Sequence, residues 1–237
     1  MRLLTEDRPP REGSIRTALA EGARALPATV TGAVRMSVTD RPMRLVLLLT
    51  AVGGVGLVAC ELLGPVRFAD LAGGRDGGAA VYGTVLAISF AAAAAGAMAT
   101  PAMRRLLRGS TRATCAALFV IGAVAMAAVA GPDLLVVAGL GFALYYVAHG
   151  SSWPLLSAVL HTRVDAAHRA TAVSAMSLAL ALGGIAGNLA VPPLVAALGP
   201  DAGFLAVALV VLLGAGACLR LPRATVAVPA DAEVAAA

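Results

Sequence analysis

From residue 45 onward the chain alternates long apolar runs with short polar or glycine-rich stretches. The first run, residues 45–63 (LVLLLTAVGGVGLVACELL), has about the 20 residues that a helix rising ~1.5 Å per residue needs to cross a bilayer core. Five more runs follow at about 81–100, 113–130, 134–158, 171–196 and 203–219. The stretch GPVRFADLAGGRDGG after the first run reads as a loop from its glycines and charges. Gly131-Pro132-Asp133 and Gly199-Pro200-Asp201 read as tight turns. The basic segment from Met103 to Arg112 and the segment from His161 to Arg169 make the remaining connections. Inside lipid a spanning segment must pair its own backbone amides, so runs of this length predict helices. The expected fold class is all-α, a polytopic membrane protein with six transmembrane helices over residues 45–219.

Composition agrees. Of the 237 residues 59% are hydrophobic and 13% charged, where an average soluble domain has about 45–50% and about 25%, which excludes a soluble globular protein. The net charge of +5 raises nucleic acid as a partner, but the arginines cluster beside the apolar runs and point to membrane orientation instead. With six spans both termini share a side, and sixteen of the eighteen arginines fall on it, while Arg67 and Arg75 alone fall opposite. Both termini are therefore expected to be cytoplasmic, with the protein in the cell's inner (cytoplasmic) membrane. Cys60, Cys115 and Cys218 show no ligand spacing and read as small buried apolar residues.

Residues 1–44 have no apolar core and are not a secretory signal; they read as a cytoplasmic linker. Within 14–35, Ile15, Leu19 and Leu26 fall on one helical face opposite Arg16 and Arg24, which fits either an interfacial amphipathic helix or a linker interrupted at Pro27. Residues 220–237 are expected to be a low-complexity, disordered cytoplasmic tail.

Three places carry a family resemblance. The second span with its exit, Tyr82-Gly83 through Gly96 to Arg104-Arg105-Leu106-Leu107-Arg108-Gly109, is similar to the degenerate second copy of a glycine and arginine loop motif, here without its usual acid. Gly150-Ser151-Ser152-Trp153-Pro154 interrupts the fourth span with small residues and proline. The segment from His161 to Ser174, with Gly183-Gly184, Gly187-Asn188 and Pro192-Pro193, is the most specific. In this order they resemble the C-terminal half of a major facilitator superfamily transporter, from about residue 10 to residue 222. The resemblance implies spans equivalent to the family's seventh to twelfth, secondary transport of a small molecule by alternating access, and no cofactor. It also implies a partner, because the family builds its pathway between two six-span halves. A separate N-terminal half is expected ahead of a second copy of this chain. Met1 falls where a full transporter's central linker would run, so the sequence leaves open a half-transporter, a mis-set start codon and a degraded gene.

Candidate pathway residues follow from the cost of polar groups in lipid. Glu61 is the only acid inside a span. It is a candidate for binding a proton or a cationic substrate, consistent with proton-coupled efflux by an antiporter. The competing reading pairs it with Arg67 or with water at the outer face. Phe142, Tyr145, Tyr146, His149, Ser152 and Trp153 recur at steps of three and four on the fourth span. They form either a substrate-binding stripe, with His149 able to titrate near neutral pH, or a packing face with hydroxyls bonded to neighbouring backbones. Asn188 is expected to seek an interhelical hydrogen bond or contact substrate. Pro154, Pro192 and Pro193 are expected to kink or unwind their spans. The glycines at 53, 54, 56, 183, 187, 214 and 216 should permit close helix approach. His161 and His168, flanking Arg163, Asp165 and Arg169, suit a solvated loop facing lipid headgroups better than a metal site.

An enzyme is not expected. The His149 to Ser152 pair lacks a rhomboid GxSG motif and a partner histidine in the last two spans, and no HExxH or Walker-type loop occurs. Mitochondrial-carrier signatures and the intramembrane His/Asp pairs of cation-diffusion facilitators are also missing. The remaining alternative is a truncated remnant or membrane interaction subunit that transports nothing alone.

Overall fold

The computed structural model describes residues 40–164 and 168–222. Six helices succeed one another: α1 (Arg41–Leu71), α2 (Arg75–Leu106), α3 (Thr111–Val129), α4 (Leu135–His161), α5 (Arg169–Leu198) and α6 (Pro200–Cys218). Each is long and apolar enough to cross a membrane. The architecture is an all-α, six-helix, largely apolar bundle, as the run pattern predicts. The expected amphipathic helix within 14–35 and the tail beyond residue 222 lie outside the described residues.

The chain between the first two spans differs from expectation. Gly64 to Gly78 is mostly helix, because α1 continues through Pro65 to Leu71 and α2 begins at Arg75. Hydropathy marks where lipid ends, not where a helix ends, and the extra turns are anchored by buried Arg67 and Phe68. Only residues 72–74 remain as the turn, with Gly73 and Gly74 at positive φ. The prolines do not unwind their spans, since α4 and α5 continue as helix through Pro154 and through Pro192 and Pro193. The other turns follow the sequence signals. The Ser110 hydroxyl caps α3 by accepting from the Ala113 amide at 3.2 Å. Gly199, at φ +88°, ends α5 and lets Pro200 open α6.

The helices are unequal. α1, α2 and α5 have 31, 32 and 30 residues, while α3 and α6 have 19 each. Their packing is symmetric in a way the sequence does not display. α2 packs chiefly on α4, α1 chiefly on α5, and α6 chiefly on α3, which packs as extensively on α4. Exchanging α1-α2-α3 for α4-α5-α6 maps each of these principal contacts onto another or onto itself. α2 and α5, which are exchanged, are also the two least buried helices.

Close crossings repeat the same correspondence. A Cβ on Gly54 of α1 would collide with the Leu180 carbonyl of α5, and one on Gly183 of α5 with the Ala51 carbonyl of α1. In the other pair, a Cβ on Gly150 of α4 would meet the Ala93 carbonyl of α2, and one on Gly96 of α2 would lie 2.6 Å from the Val147 carbonyl of α4. Each glycine therefore rests on the carbonyl three residues before its partner glycine, in both pairs. Without side chains the backbones approach closely enough for van der Waals contact and Cα–H···O interactions to hold apolar helices together where no hydrophobic drive exists. The expectation that small residues serve packing is met at these positions.

Candidate functional site

The aromatic side chains of α4 form the centre of a ladder that links three helices. Phe142 stands edge-on to Phe68 of α1 (5.6 Å between centroids) and to Tyr82 of α2 (6.0 Å), and stacks on Tyr146 at 5.4 Å. Tyr146 meets Phe90 of α2 edge-on at 5.4 Å and Tyr145 at 6.0 Å, and Tyr145 stacks with His149 at 6.1 Å. Such pairs are favourable beyond the area they bury. Glycines on α1 make room for them: the Tyr145 ring occupies the place of a side chain at Gly56, and Tyr82 and Phe142 that of one at Gly64.

The expected single stripe splits in two. Tyr145 and His149 turn toward α1, where the Tyr145 hydroxyl donates to the Gly53 carbonyl at 3.3 Å and the His149 ring lies 3.0 Å from where a Gly53 Cβ would be. With Ser152, whose hydroxyl donates to the His149 carbonyl of its own helix at 2.8 Å, they line a cavity of about 20 Å³. That volume holds about one water molecule. Tyr146 turns the other way, toward α2, and Trp153 is half-buried against the core. Tyr146 is 2% exposed, and its hydroxyl has no hydrogen-bond partner among the described residues. A buried polar atom left in this way costs about 1–3 kcal/mol.

Glu61 is exposed on α1. Positions 51, 54, 55 and 58 face α5, whereas 53, 56 and 64 face α4 and α2, so at 3.6 residues per turn Glu61 falls on the open face between them. The Tyr82 hydroxyl, from α2, reaches the carbonyl of the adjacent Cys60 at 3.5 Å.

The pairing of Glu61 with Arg67 is not what the structure contains. Arg67, 5% exposed, is committed elsewhere. Its Nε donates to the Val129 carbonyl at 3.0 Å, one terminal nitrogen to Asp133 Oδ1 at 2.9 Å, and the other to the carbonyls of Gly131 at 2.9 Å and Pro132 at 3.4 Å. Asp201 lies 3.7 Å away. A buried guanidinium must satisfy its donors, and the carbonyls that end α3 are the nearest dense set of acceptors. Among the described residues no ion pair or hydrogen bond reaches Glu61.

Asn188 also departs from its packing expectation: it lies on the exposed side of α5, and no hydrogen bond ties it to another helix. Tyr82 and Phe90 are the neighbours that a stripe search confined to α4 does not find; the available signal was an aromatic residue isolated within a small-residue run. Cys60, Cys115 and Cys218 are buried, as expected, and the Cys218 thiol also donates to Cys115 Sγ at 3.4 Å between α6 and α3. Among the described residues no group of three or more His, Cys, Asp or Glu side chains is placed to hold a metal ion.

No family model matches the chain, and no curated protein matches it. The chain is a polytopic, six-span helical membrane protein by its own sequence and structure. Its surface carries one exposed acid on α1, and its interior a ladder of aromatic rings that ends at the exposed Phe90.

Proposed function

We propose that this chain is one six-span half of a secondary transporter of the major facilitator type, moving a small molecule by alternating access together with a second six-span unit. The observation that carries the reading is the repeated glycine crossing, Gly54 with Gly183 and Gly150 with Gly96. It supports reading α1-α2-α3 and α4-α5-α6 as two related triplets, which, three spans being an odd number, would run through the membrane in opposite directions. Secondary transporters of this class nest such inverted triplets within each half and bind substrate near the midplane at repeat interfaces. The arginine asymmetry supports cytoplasmic termini and a place in the inner membrane. In this reading Glu61, Trp153 and Asn188 line the pathway, with Tyr145, Tyr146, His149 and Ser152 behind them, and Glu61 is the site of proton coupling or substrate charge.

Cysteine accessibility tests this without a known substrate. In a background lacking the three native cysteines, single cysteines at positions 57, 61 and 153 should be alkylated by a membrane-impermeant maleimide in right-side-out and in inverted vesicles. Labelling confined to one vesicle orientation at all three positions would overturn alternating access.

A second reading, a membrane interaction subunit without transport of its own, is favoured by the uncovered side of α2. There Gly83, Ala87, Ala91 and Ala95 are exposed four residues apart, a face suited to close helix approach.

A further inference from the structure

We infer that Cys115 and Cys218 form a two-coordinate site for a soft monovalent metal ion, copper(I) or silver(I), at the arginine-rich end of the bundle. The site is independent of the transporter reading. No ligand spacing announces it, because the two thiols lie 103 positions apart in the chain, yet the packing of α6 on α3 sets the Cys218 sulfur 3.4 Å from the Cys115 sulfur. Both residues are fully buried. Cys115 sits in the second turn of α3 and Cys218 is the last residue of α6, so the pair lies close to the side on which the arginines collect. Cys60 is buried toward the far end of α1.

Number and softness of the donors select the ion. Calcium and magnesium take oxygen ligands, and structural zinc takes four ligands. Among the described residues no third His, Cys, Asp or Glu joins the two thiols, which leaves a thiophilic ion content with two. At the ~2.3 Å of a metal–thiolate bond a linear sulfur–metal–sulfur unit spans about 4.6 Å, so the sulfurs must part by about 1 Å, within reach of rotation about the two Cα–Cβ bonds. The neighbours in sequence, Ala116, Ala117, Gly216 and Ala217, are small. Loading balances as ligand exchange: the ion leaves two small thiols, each of which takes up the proton that one cysteine gives up, and nothing is oxidised or reduced. Two thiolates around one monovalent ion carry a single negative charge. The N-terminus of α3, Arg112 three residues before Cys115 and Arg220 two residues after Cys218 offset it.

Equilibrium dialysis of silver(I) against the purified full chain in detergent, with thiosulfate as the competing ligand, tests the site. Saturable binding of one ion per chain is expected, unchanged in Cys60→Ala and weakened at least about a hundredfold in Cys115→Ala and in Cys218→Ala, at or beyond the upper end of what loss of an outer-sphere partner costs. X-ray absorption of the copper(I)-loaded wild type reads the coordination without any substitution, and should show two sulfur neighbours and no nitrogen or oxygen. Absence of saturable binding, binding that survives replacement of both Cys115 and Cys218, dependence on Cys60, or nitrogen or oxygen neighbours in the wild type overturns the site.

Discussion

The Arg67 guanidinium is held 2.9 Å from Asp133, yet Asp133 is largely exposed while Arg67 is buried. Most of what fixes the arginine is therefore not the ion pair but the carbonyls of Val129, Gly131 and Pro132 at the end of α3. Ion pairs with exposed carboxylates contribute about 0–1 kcal/mol, whereas hydrogen bonds from a charged donor, here to one buried carbonyl and two part-buried ones, contribute about 1.5–3 kcal/mol each. Arg67→Ala is expected to lower unfolding free energy by about 3 kcal/mol and Asp133→Asn by less than about 1 kcal/mol. Reversible denaturation in mixed micelles measures both, and equal losses would contradict the assignment.

The two adjacent tyrosines of α4 should respond oppositely to loss of the hydroxyl. Tyr145→Phe removes a bond to the Gly53 carbonyl and should cost about 0.5–1.5 kcal/mol. Tyr146→Phe removes a hydroxyl that has no partner and should leave stability unchanged or raise it by about 1 kcal/mol. The same denaturation assay decides, and a clear loss in Tyr146→Phe would show that its hydroxyl has a structural partner.

Glycines at the crossings should be intolerant, and glycines in open space tolerant. Gly54→Leu and Gly150→Leu each drive a side chain into a backbone carbonyl, so both should lose about 3 kcal/mol or more, at the upper end of overpacking costs. Gly216→Ala, with nothing nearby to meet it, should be close to neutral. Reaction of the three buried cysteines with a fluorogenic maleimide during heating reports each unfolding transition.

Cys115 and Cys218 should crosslink within one chain. Their sulfurs are 3.4 Å apart, so copper-phenanthroline treatment should remove two hydrogens and join α3 to α6. After cleavage in the connection between α4 and α5, the two pieces should stay together under non-reducing conditions and separate on reduction. Cys115→Ala or Cys218→Ala should abolish the link, and persistence of two free thiols in the oxidised wild type would place the helices farther apart.

How much of this was legible in the sequence depends on the kind of signal. The spans follow from transfer energetics, which act residue by residue, so the apolar runs and the turns at Gly131-Pro132-Asp133 and Gly199-Pro200-Asp201 could be read directly. The extra turns from Gly64 to Leu71 could not, because they are held by what Arg67 and Phe68 meet on other helices. The same tertiary choice took Arg67 away from Glu61. The α4 stripe was visible as a periodicity, but a helix face a few residues wide can serve two neighbours, and only the positions of Gly53 and Phe90 divide it. The internal correspondence was hidden for a different reason: it is carried by Gly54, Gly150, Gly96 and Gly183 alone, with dissimilar side chains around them.

The inequality in helix length bears on the surrounding lipid. At ~1.5 Å per residue, α3 and α6 span about 28 Å, close to the ~30 Å of an average hydrocarbon core, while α1, α2 and α5 reach about 45 Å or more. A long helix accommodates a thicker or thinner bilayer by tilting, but a helix that barely spans must thin the membrane or drag its ends inward. The short pair is therefore where the bundle is most sensitive to acyl-chain length, because α3 and α6 have no turns to spare beyond their apolar runs, whereas α1 carries its extra turns past the end of its own.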